Sequence, residues 1–515
     1  MIRRVFTVGG FTLLSRVTGF IRDIVMAAIL GAGPIADAFL VAFRLPNHFR
    51  AIFAEGAFSA AFVPAYARAL ERDGAGAAQR FADRIAAGMV IVQLVLLAVA
   101  LAFTPQVVRV LAPGFADDPT RFDLAVALTR ITFPYLALIS LETLIAGTLN
   151  SNQRFASAAA APILLNICMV GTLAFAAAFP TAGHAAAWGV LAAGALQALF
   201  VGVDAERSGF GLRLQMPKLD EPTKRFLKAL GPAIVGAGGV QLALFADTII
   251  ATFLPAGSLA ALYYADRINQ LPIGVIGIAI GIVLLPEMSR ALAAGDEPGA
   301  AEAQGRAIDL TLVLSVPCIA IAIAIPELVM RALFMRGAFT ATDATAAAAT
   351  LAAYAMGLLP FVLIRSFVAP FYARGDTWTP VKAALIAVLV NILLKIALMA
   401  NLAQVGLALA TAAGAWVNLV LLWLAAKRFG FKPPDTSLEG AMRLLFAGLV
   451  TGIALHFGVR LIGPWLSGLP RLREETLLLL VLILGAILYA ALVTLLRGRT
   501  WLKSLLRDAG RKASV

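Results

Sequence analysis

The sequence has little with which to build a disulfide framework or a soft-metal site. Its 515 residues include two cysteines and three histidines: Cys168, Cys318, His48, His184 and His456. Both cysteines lie inside apolar segments, so neither a disulfide framework nor a His/Cys metal cluster can be assembled from this set. We therefore expect no cofactor and no metal.

Charged residues are also scarce. They make up 14% of the chain, hydrophobic residues make up 61%, and the mean hydropathy is +0.90. Soluble domains are about half apolar and about a quarter charged, so this composition predicts an all-α polytopic membrane protein. The N-terminus has basic residues before an apolar run, as a signal peptide does. Because Arg22 and Asp23 follow this run in place of a cleavage site, we interpret it as a retained first helix.

Hydropathy predicts fourteen transmembrane helices, each about 20 residues long. They lie near 6–30, 36–64, 83–104, 124–148, 156–179, 185–203, 229–254, 261–289, 307–325, 347–371, 380–400, 404–425, 441–461 and 475–496. If the N-terminus is cytoplasmic, 27 lysines and arginines fall on the inside and 7 on the outside. Positive charge accumulates in cytoplasmic loops, so we expect both termini, including the basic tail, to lie inside. The net charge of +13 then reflects topology and contact with membrane lipids, and no nucleic-acid partner is expected.

The remaining charges lie within the predicted spans and are mostly positive. They are Arg16, Arg22, Arg44, Arg50, Arg130, Arg267, Arg365 and Lys395, against Asp23, Asp37, Glu55, Glu142, Asp247 and Asp266. A charge at a helix centre costs at least about 2.5 kcal/mol, so each should face a partner or a watery cavity. Any single residue could belong to a structural ion pair. For example, Arg16 and Asp23 share a helical face, as do Asp37 and Arg44. The arginine excess favours a cavity for a phosphate- or carboxylate-bearing ligand, which the guanidinium fork binds bidentately.

The chain also contains an internal repeat. The segment starting at Asp23 aligns with the segment starting at Asp247, Gly33 with Gly257, and Pro64 with Pro286. Six predicted helices separate the copies, so both enter the membrane in the same direction. Parallel repeats predict two pseudo-symmetric six-helix lobes with a substrate site between them. We divide the chain into an N-terminal lobe (1–228), a C-terminal lobe (229–432) and two additional helices with the tail (433–515).

Several segments together resemble one family. They are "SRVTGFIRD" at 15–23, "DAFLVAFRLPNHFRAIFAEGAFSAAFVPAY" at 37–66, "APGF" at 112–115, "ITFPYL" at 131–136, "YYADRINQLPIGVIGIAIGIVLLPEMSR" at 263–290 and "RGAFTATDA" at 336–344. The chain resembles the MurJ (MviN) lipid II flippases of the multidrug/oligosaccharidyl-lipid/polysaccharide exporter superfamily. This resemblance implies a two-lobe transporter of the inner membrane, not an enzyme. It would move undecaprenyl-pyrophosphate-linked disaccharide pentapeptide (lipid II) from the cytoplasmic to the periplasmic leaflet for peptidoglycan synthesis. The last two helices would form a groove for the prenyl tail. We expect a monomer, with the cell-wall synthesis machinery as a candidate partner.

Transferred by motif, the resemblance implies a central cavity whose charged residues are Arg16, Arg22, Asp23, Asp37, Arg50 and Arg267. Ser15 and Asn47 are polar neighbours in the same motifs. On this interpretation the arginines bind the pyrophosphate, and the two aspartates orient them.

A second set of polar residues lies at one predicted depth: Asp247, Asn391, Lys395 and Thr411. Their oxygen atoms resemble a pocket for a small cation such as sodium. Lys395 argues against sodium here, because its ammonium would repel a second cation in a low dielectric. We predict an Asp247–Lys395 pair that makes transport independent of sodium. The alternative is that the two side chains face different cavities.

Two other functions remain alternatives. The same fold exports drugs or other polyprenyl-linked glycans, but a drug exporter should have a cavity rich in carboxylates. A polytopic enzyme acting on polyprenyl phosphates would need clustered carboxylates for magnesium, or a nucleophile with a base. The nearest candidate, "FADD" at 115–118, has no partner histidine or second acidic cluster.

Overall fold

The computed structural model describes residues 2–50, 57–213, 215–429, 435–468, 472–498 and 501. Every regular element in these ranges is helical. By their contacts the residues form two compact units. Unit 1 comprises 1–260 and 336–340, and unit 2 comprises 261–335 and 341–515. The three-part division expected from the sequence stays a prediction.

Ten α-helices cover the first half of the chain. They are α1 (Ile2–Leu30), α2 (Pro34–Arg50), α3 (Ala57–Asp73), α4 (Ala75–Ala102), α5 (Thr104–Leu111), α6 (Pro119–Thr132), α7 (Tyr135–Ser151), α8 (Ala156–Ala174), α9 (Ala182–Arg207) and α10 (Glu221–Thr252). An aromatic cluster from three of them, with Phe62, Phe81 and Phe226 at its centre, forms part of the core of unit 1.

Eight α-helices follow: α11 (Ser258–Pro272), α12 (Ile278–Ala293), α13 (Glu297–Ala324), α14 (Pro326–Phe334), α15 (Ala341–Ala373), α16 (Trp378–Ala426), α17 (Asp435–Ile462) and α18 (Arg473–Arg497). A π-helical turn, Ile273–Gly277, joins α11 to α12 directly after Pro272, which has no N–H to donate. Leu312 and Val316 of α13 pack against Leu444 of α17 and Tyr489 of α18. The last two helices are therefore anchored to unit 2 through α13.

Among the described residues, nine helical segments are long and apolar enough to cross a membrane. One of them, α16, has 49 residues and would extend about 74 Å, more than twice the hydrocarbon thickness. Its path breaks at Ala403, whose φ is 43°, in the gap that the sequence predicts between two spans. The predicted spans that fall outside the nine include those on α1, α2 and α11, all of which carry internal charges.

The predicted span 124–148 comprises two helices, α6 and α7, which meet at Phe133 and Pro134 and together form one of the nine apolar segments. One difference from the hydropathy map has a simple cause. Two segments treated as loops contain short helices, α5 and α14. A 19-residue window averages over helices of eight or nine residues, so it cannot detect them. Part of the predicted span 36–64 lies outside the described residues, and so does most of the basic tail.

Candidate functional site

Two charged residues of α1, Arg22 and Asp23, form a buried cluster with α8. The Arg22 guanidinium donates to Oδ1 of Asp23 from Nη2 at 2.7 Å and from Nε at 3.1 Å. Its Nη1 donates to Oδ1 of Asn166 at 3.1 Å. The Asn166 amide also donates to the backbone oxygen of Ser15 and to Oγ1 of Thr18. The two acceptor oxygens, from Asp23 and Asn166, thus fix the plane of the guanidinium group on an otherwise apolar helix.

The partner of Asp23 differs from the helical-face expectation. Arg22, its neighbour in sequence, pairs with it, whereas Arg16 is exposed on the same helix. A guanidinium can fold back along its own helix when its long stem packs on apolar surface, so adjacent residues can pair despite pointing apart. The sequence motif therefore provides one fixed arginine and one exposed arginine.

Asp37 lies in the first turn of α2 and is 0% exposed. Its carboxylate accepts hydrogen bonds from the backbone N–H groups of Gly257 at 2.7 Å and Ala260 at 3.0 Å. These N–H groups belong to the start of α11, where the helix dipole favours a negative charge. Asp37 therefore caps a helix 220 residues away in the chain.

Arg121 lies in a segment that hydropathy predicts to be an outside loop. It is 8% exposed, its Nη1 lies 3.9 Å from Oδ2 of Asp37, and it donates to the Leu254 carbonyl at 3.4 Å. Its Nε donates to Asp118 at 2.7 Å, and its guanidinium lies over the Phe115 ring at 4.7 Å. Hydrogen bonds from its backbone and side chain hold the pKa of Asp118 below its usual value. The sequence "DPTR" at 118–121, a helix cap followed by a basic residue, was the available signal.

Close backbone contacts surround Asp37 and Arg121. The Gly114 N–H donates to Oγ1 of Thr252, and the Ala338 N–H donates to the Ala28 carbonyl at 2.7 Å. Gly257 has a φ of 90°, and an added Cβ would lie 2.6 Å from the Ala32 carbonyl oxygen. The chain segments 28–32, 114–121, 252–260 and 336–340 thus meet at one end of unit 1. We call this group the loop cluster.

The C-terminal half of α2 contacts α10. Arg44 lies 3.4 Å from Oγ1 of Thr248, the residue after Asp247, and His48 Nδ1 lies 3.0 Å from Oε1 of Gln241. Asn47, which lies between Arg44 and His48 in the sequence, is half-buried. Arg50, the last residue of α2, is also half-buried.

The predicted site residues of unit 2 form two groups. Arg267 lies over the ring of Tyr263 at 4.6 Å and donates to its hydroxyl at 3.0 Å. Lys395 is 3% exposed on α16, one turn after Asn391. Asn391 packs beside Gly414, on the part of α16 beyond Ala403 that also carries Thr411. The pairing of Asp247 with Lys395 stays a prediction.

Sequence comparison identifies the family. The profile of the family described as "Lipid II flippase MurJ" matches residues 26–469. A "Probable lipid II flippase MurJ" of Rhizobium meliloti is 40% identical over 522 residues, which cover 100% of this chain and 97% of that relative. The chain belongs to the MurJ family. A "Lipid II flippase MurJ" of Burkholderia cenocepacia is 34% identical and covers 89% of this chain and 91% of the relative.

Solved structures show the same fold. A structure described as "Lipid II flippase MurJ, inward closed conformation" matches with a TM-score of 0.78 at 22% identity, covering 95% of this chain and 98% of that one. An inward-facing multidrug resistance MATE transporter of the MOP superfamily matches with a TM-score of 0.66 at 15% identity, covering 84% and 99%. The all-helical membrane-transporter fold is therefore confirmed.

Membership in the MurJ family also confirms two predictions, one about the class of function and one about location. The family is one of flippases, which supports a transporter over an enzyme. The chain is a multi-pass protein of a bacterial membrane. The roles of the individual site residues are untested by these comparisons and stay predictions.

Proposed function

We propose that this chain moves lipid II from the inner to the outer leaflet of the bacterial cytoplasmic membrane by alternating access, for cell-wall synthesis. One observation carries the proposal: the 40% identity to a probable lipid II flippase extends over the whole chain and nearly all of the relative. The same chemistry is favoured by the excess of arginine over carboxylate within the spans, because a pyrophosphate linker needs cationic partners.

The Arg22 cluster would provide the fixed part of the headgroup site. Asp23 and Asn166 hold the guanidinium in place before any ligand binds, which lowers the ordering cost of binding. Arg16 is exposed on the same helix and is free to follow a moving phosphate. We assign Arg50, Arg267 and Asn47 to the same transport path, as the family motif implies.

Asp37 and Arg121 would act as a latch at the outer face. While this latch is closed, the hydrogen bonds from the Gly257 and Ala260 N–H groups to Asp37 hold the start of α11 against α2. Opening toward the periplasm would break these bonds, and Arg121 would then neutralise the released carboxylate. On this proposal Asp37 controls the path and does not contact the pyrophosphate.

We also propose fourteen spans with both termini in the cytoplasm, and contacts within unit 1 agree with the alternation of the spans there. The segments of the loop cluster all fall on the predicted outside. At the other end of unit 1, Asp83 accepts from the Arg213 N–H at 2.9 Å, and Arg84 pairs with Asp220. Asp83 and Arg84 begin the predicted span 83–104 at its inside end, and Arg213 and Asp220 lie in the predicted inside segment between spans 185–203 and 229–254. Contacts that join only same-side segments are expected if the alternation of the spans is right.

Helices α17 and α18 would accept the prenyl tail. The groove between them has a volume of about 80 Å³ and is lined only by apolar residues, among them Leu455, Ile462, Val481 and Leu488. We propose a monomer that works beside the cell-wall synthesis machinery.

Depletion of the protein in its own host tests the function. Lipid II should accumulate and become inaccessible to a probe confined to the periplasm. The unmodified protein and a surface control, Arg80→Gln, should restore accessibility, whereas Arg22→Ala should not. If lipid II stays accessible and another polyprenyl-linked glycan accumulates, the chain transports that glycan instead.

A further inference from the structure

Unit 1 contains a groove that the transport path proposed above does not use. It lies among α1, α8 and α9, has a volume of about 570 Å³, and falls in the size range of small-molecule sites. Phe11 of α1 and Ala160 and Leu164 of α8 form two of its walls.

The third wall is an exposed apolar stripe on α9. Leu196, Leu199, Phe200 and Val203 follow the i, i+3, i+4, i+7 spacing, line the groove and are all exposed. This helix is among those apolar enough to cross the membrane. In a bilayer, the ligand that would pack against such an apolar wall is an acyl chain.

The charges at one end of the groove are of both signs and are not paired with each other. Asp204 and Arg207 both line the groove and lie on one face of α9. Asp204 accepts a hydrogen bond from Ser157 at 2.6 Å, which orients its carboxylate. Arg207 is exposed and makes no ion pair or hydrogen bond to another residue in the described part of the chain.

We propose that this groove binds a phospholipid whose headgroup carries both a phosphate and a primary ammonium, as phosphatidylethanolamine does. The Arg207 guanidinium binds the phosphate, the Asp204 carboxylate binds the ammonium, and one acyl chain lies along Leu199 and Phe200. An anionic headgroup without an amine leaves Asp204 facing a phosphate, and a choline headgroup has no N–H to donate to the carboxylate. Under the proposed topology the lipid comes from the cytoplasmic leaflet.

Native mass spectrometry of the full-length protein in delipidating detergent tests the proposal. Phosphatidylethanolamine, phosphatidylglycerol, phosphatidylcholine and a prenyl pyrophosphate are each added, and the bound fraction is measured. Among the three phospholipids, we expect phosphatidylethanolamine to bind most tightly. Arg207→Gln should weaken it about tenfold, since it removes one charge-assisted hydrogen-bonding group. Arg80→Gln, at an exposed arginine outside the groove, should leave binding unchanged.

A groove-filling variant separates this site from other lipid contacts. Ala160→Phe should abolish the bound lipid, while Ala174→Phe, at an exposed position of the same helix, should not. Equal binding of phosphatidylglycerol, loss of prenyl-pyrophosphate binding in both Arg207→Gln and Ala160→Phe, or retention of phosphatidylethanolamine in both of these variants would each overturn the proposal. Such results would leave the proposed flippase function intact, because transport is measured separately.

Discussion

Replacing Asp37 by asparagine tests whether burial or distance determines the strength of the loop-cluster ion pairs. Arg121 lies 2.7 Å from Asp118 but 3.9 Å from Asp37, so distance alone makes Asp118 the stronger partner. The side chain of Asp118 is 36% exposed, whereas that of Asp37 is 0% exposed. At an effective dielectric of about 20, two charges 3.9 Å apart attract by about 4 kcal/mol, but in bulk water by about 1 kcal/mol. Burial should therefore outweigh the difference in distance.

The expected loss follows from the hydrogen bonds of Asp37. Asparagine has one side-chain acceptor oxygen, so it leaves either the Gly257 or the Ala260 amide without its present partner. It also removes the charge that faces Arg121. An unsatisfied buried N–H costs about 1–3 kcal/mol, and the lost charge adds to this, so Asp37→Asn should destabilise the protein by about 2–4 kcal/mol. Asp118→Asn keeps the helix cap, because asparagine caps as well as aspartate, and should cost less.

Reversible unfolding in mixed micelles with increasing SDS measures both variants on the same protein. The double variant with Arg121→Gln gives the coupling energy of each carboxylate with Arg121. A larger loss for Asp118→Asn than for Asp37→Asn would refute the reasoning from burial. A coupling below about 0.5 kcal/mol between Asp37 and Arg121 would show that the two do not act as a pair.

Three further predictions concern other parts of the chain. Arg22→Lys should fail to restore growth in a depleted host although the protein is inserted, because an ammonium cannot bind two acceptors in one plane; full growth would contradict this role. Gly257→Ala should destabilise the protein, since its φ is 90° and the Ala32 carbonyl lies in the way, whereas Gly33→Ala meets open space and should be tolerated; the melting temperatures in detergent compare them. Lipid II transport into vesicles at fixed membrane potential should be equal in sodium and in potassium, because the Lys395 ammonium takes the place of a cation; a marked need for sodium would contradict it.

The Gly33 and Gly257 pair also shows how the structure changes an experiment. The repeat alignment suggests placing a cysteine at both positions to follow opening of the outer face. In the structure only Gly33 has room for a side chain, and a cysteine at Gly257 would strain the loop that Asp37 caps. Both positions are glycine in the sequence, so the sequence alone does not show which of them has room for a side chain.

The sequence by itself determined the features that depend on local composition. Hydropathy predicted a break within residues 401–403 of the longest helix, and Ala403 has a positive φ there. The arginine-rich motifs singled out Arg22 and Asp23 as charges within an apolar run, and both lie within the single helix α1. These properties are set by neighbours a few residues away, so a window along the chain detects them.

Tertiary structure alone decided which groups meet. Asp37 finds the amides of Gly257 and Ala260, and Arg121 joins them from a segment that hydropathy treats as a loop. Asn166, more than 140 residues from Arg22, completes its guanidinium site. A buried charge needs a partner, and the sequence shows that need, but any of several distant donors could meet it. Only the packing of the helices determines which donor lies within about 3 Å.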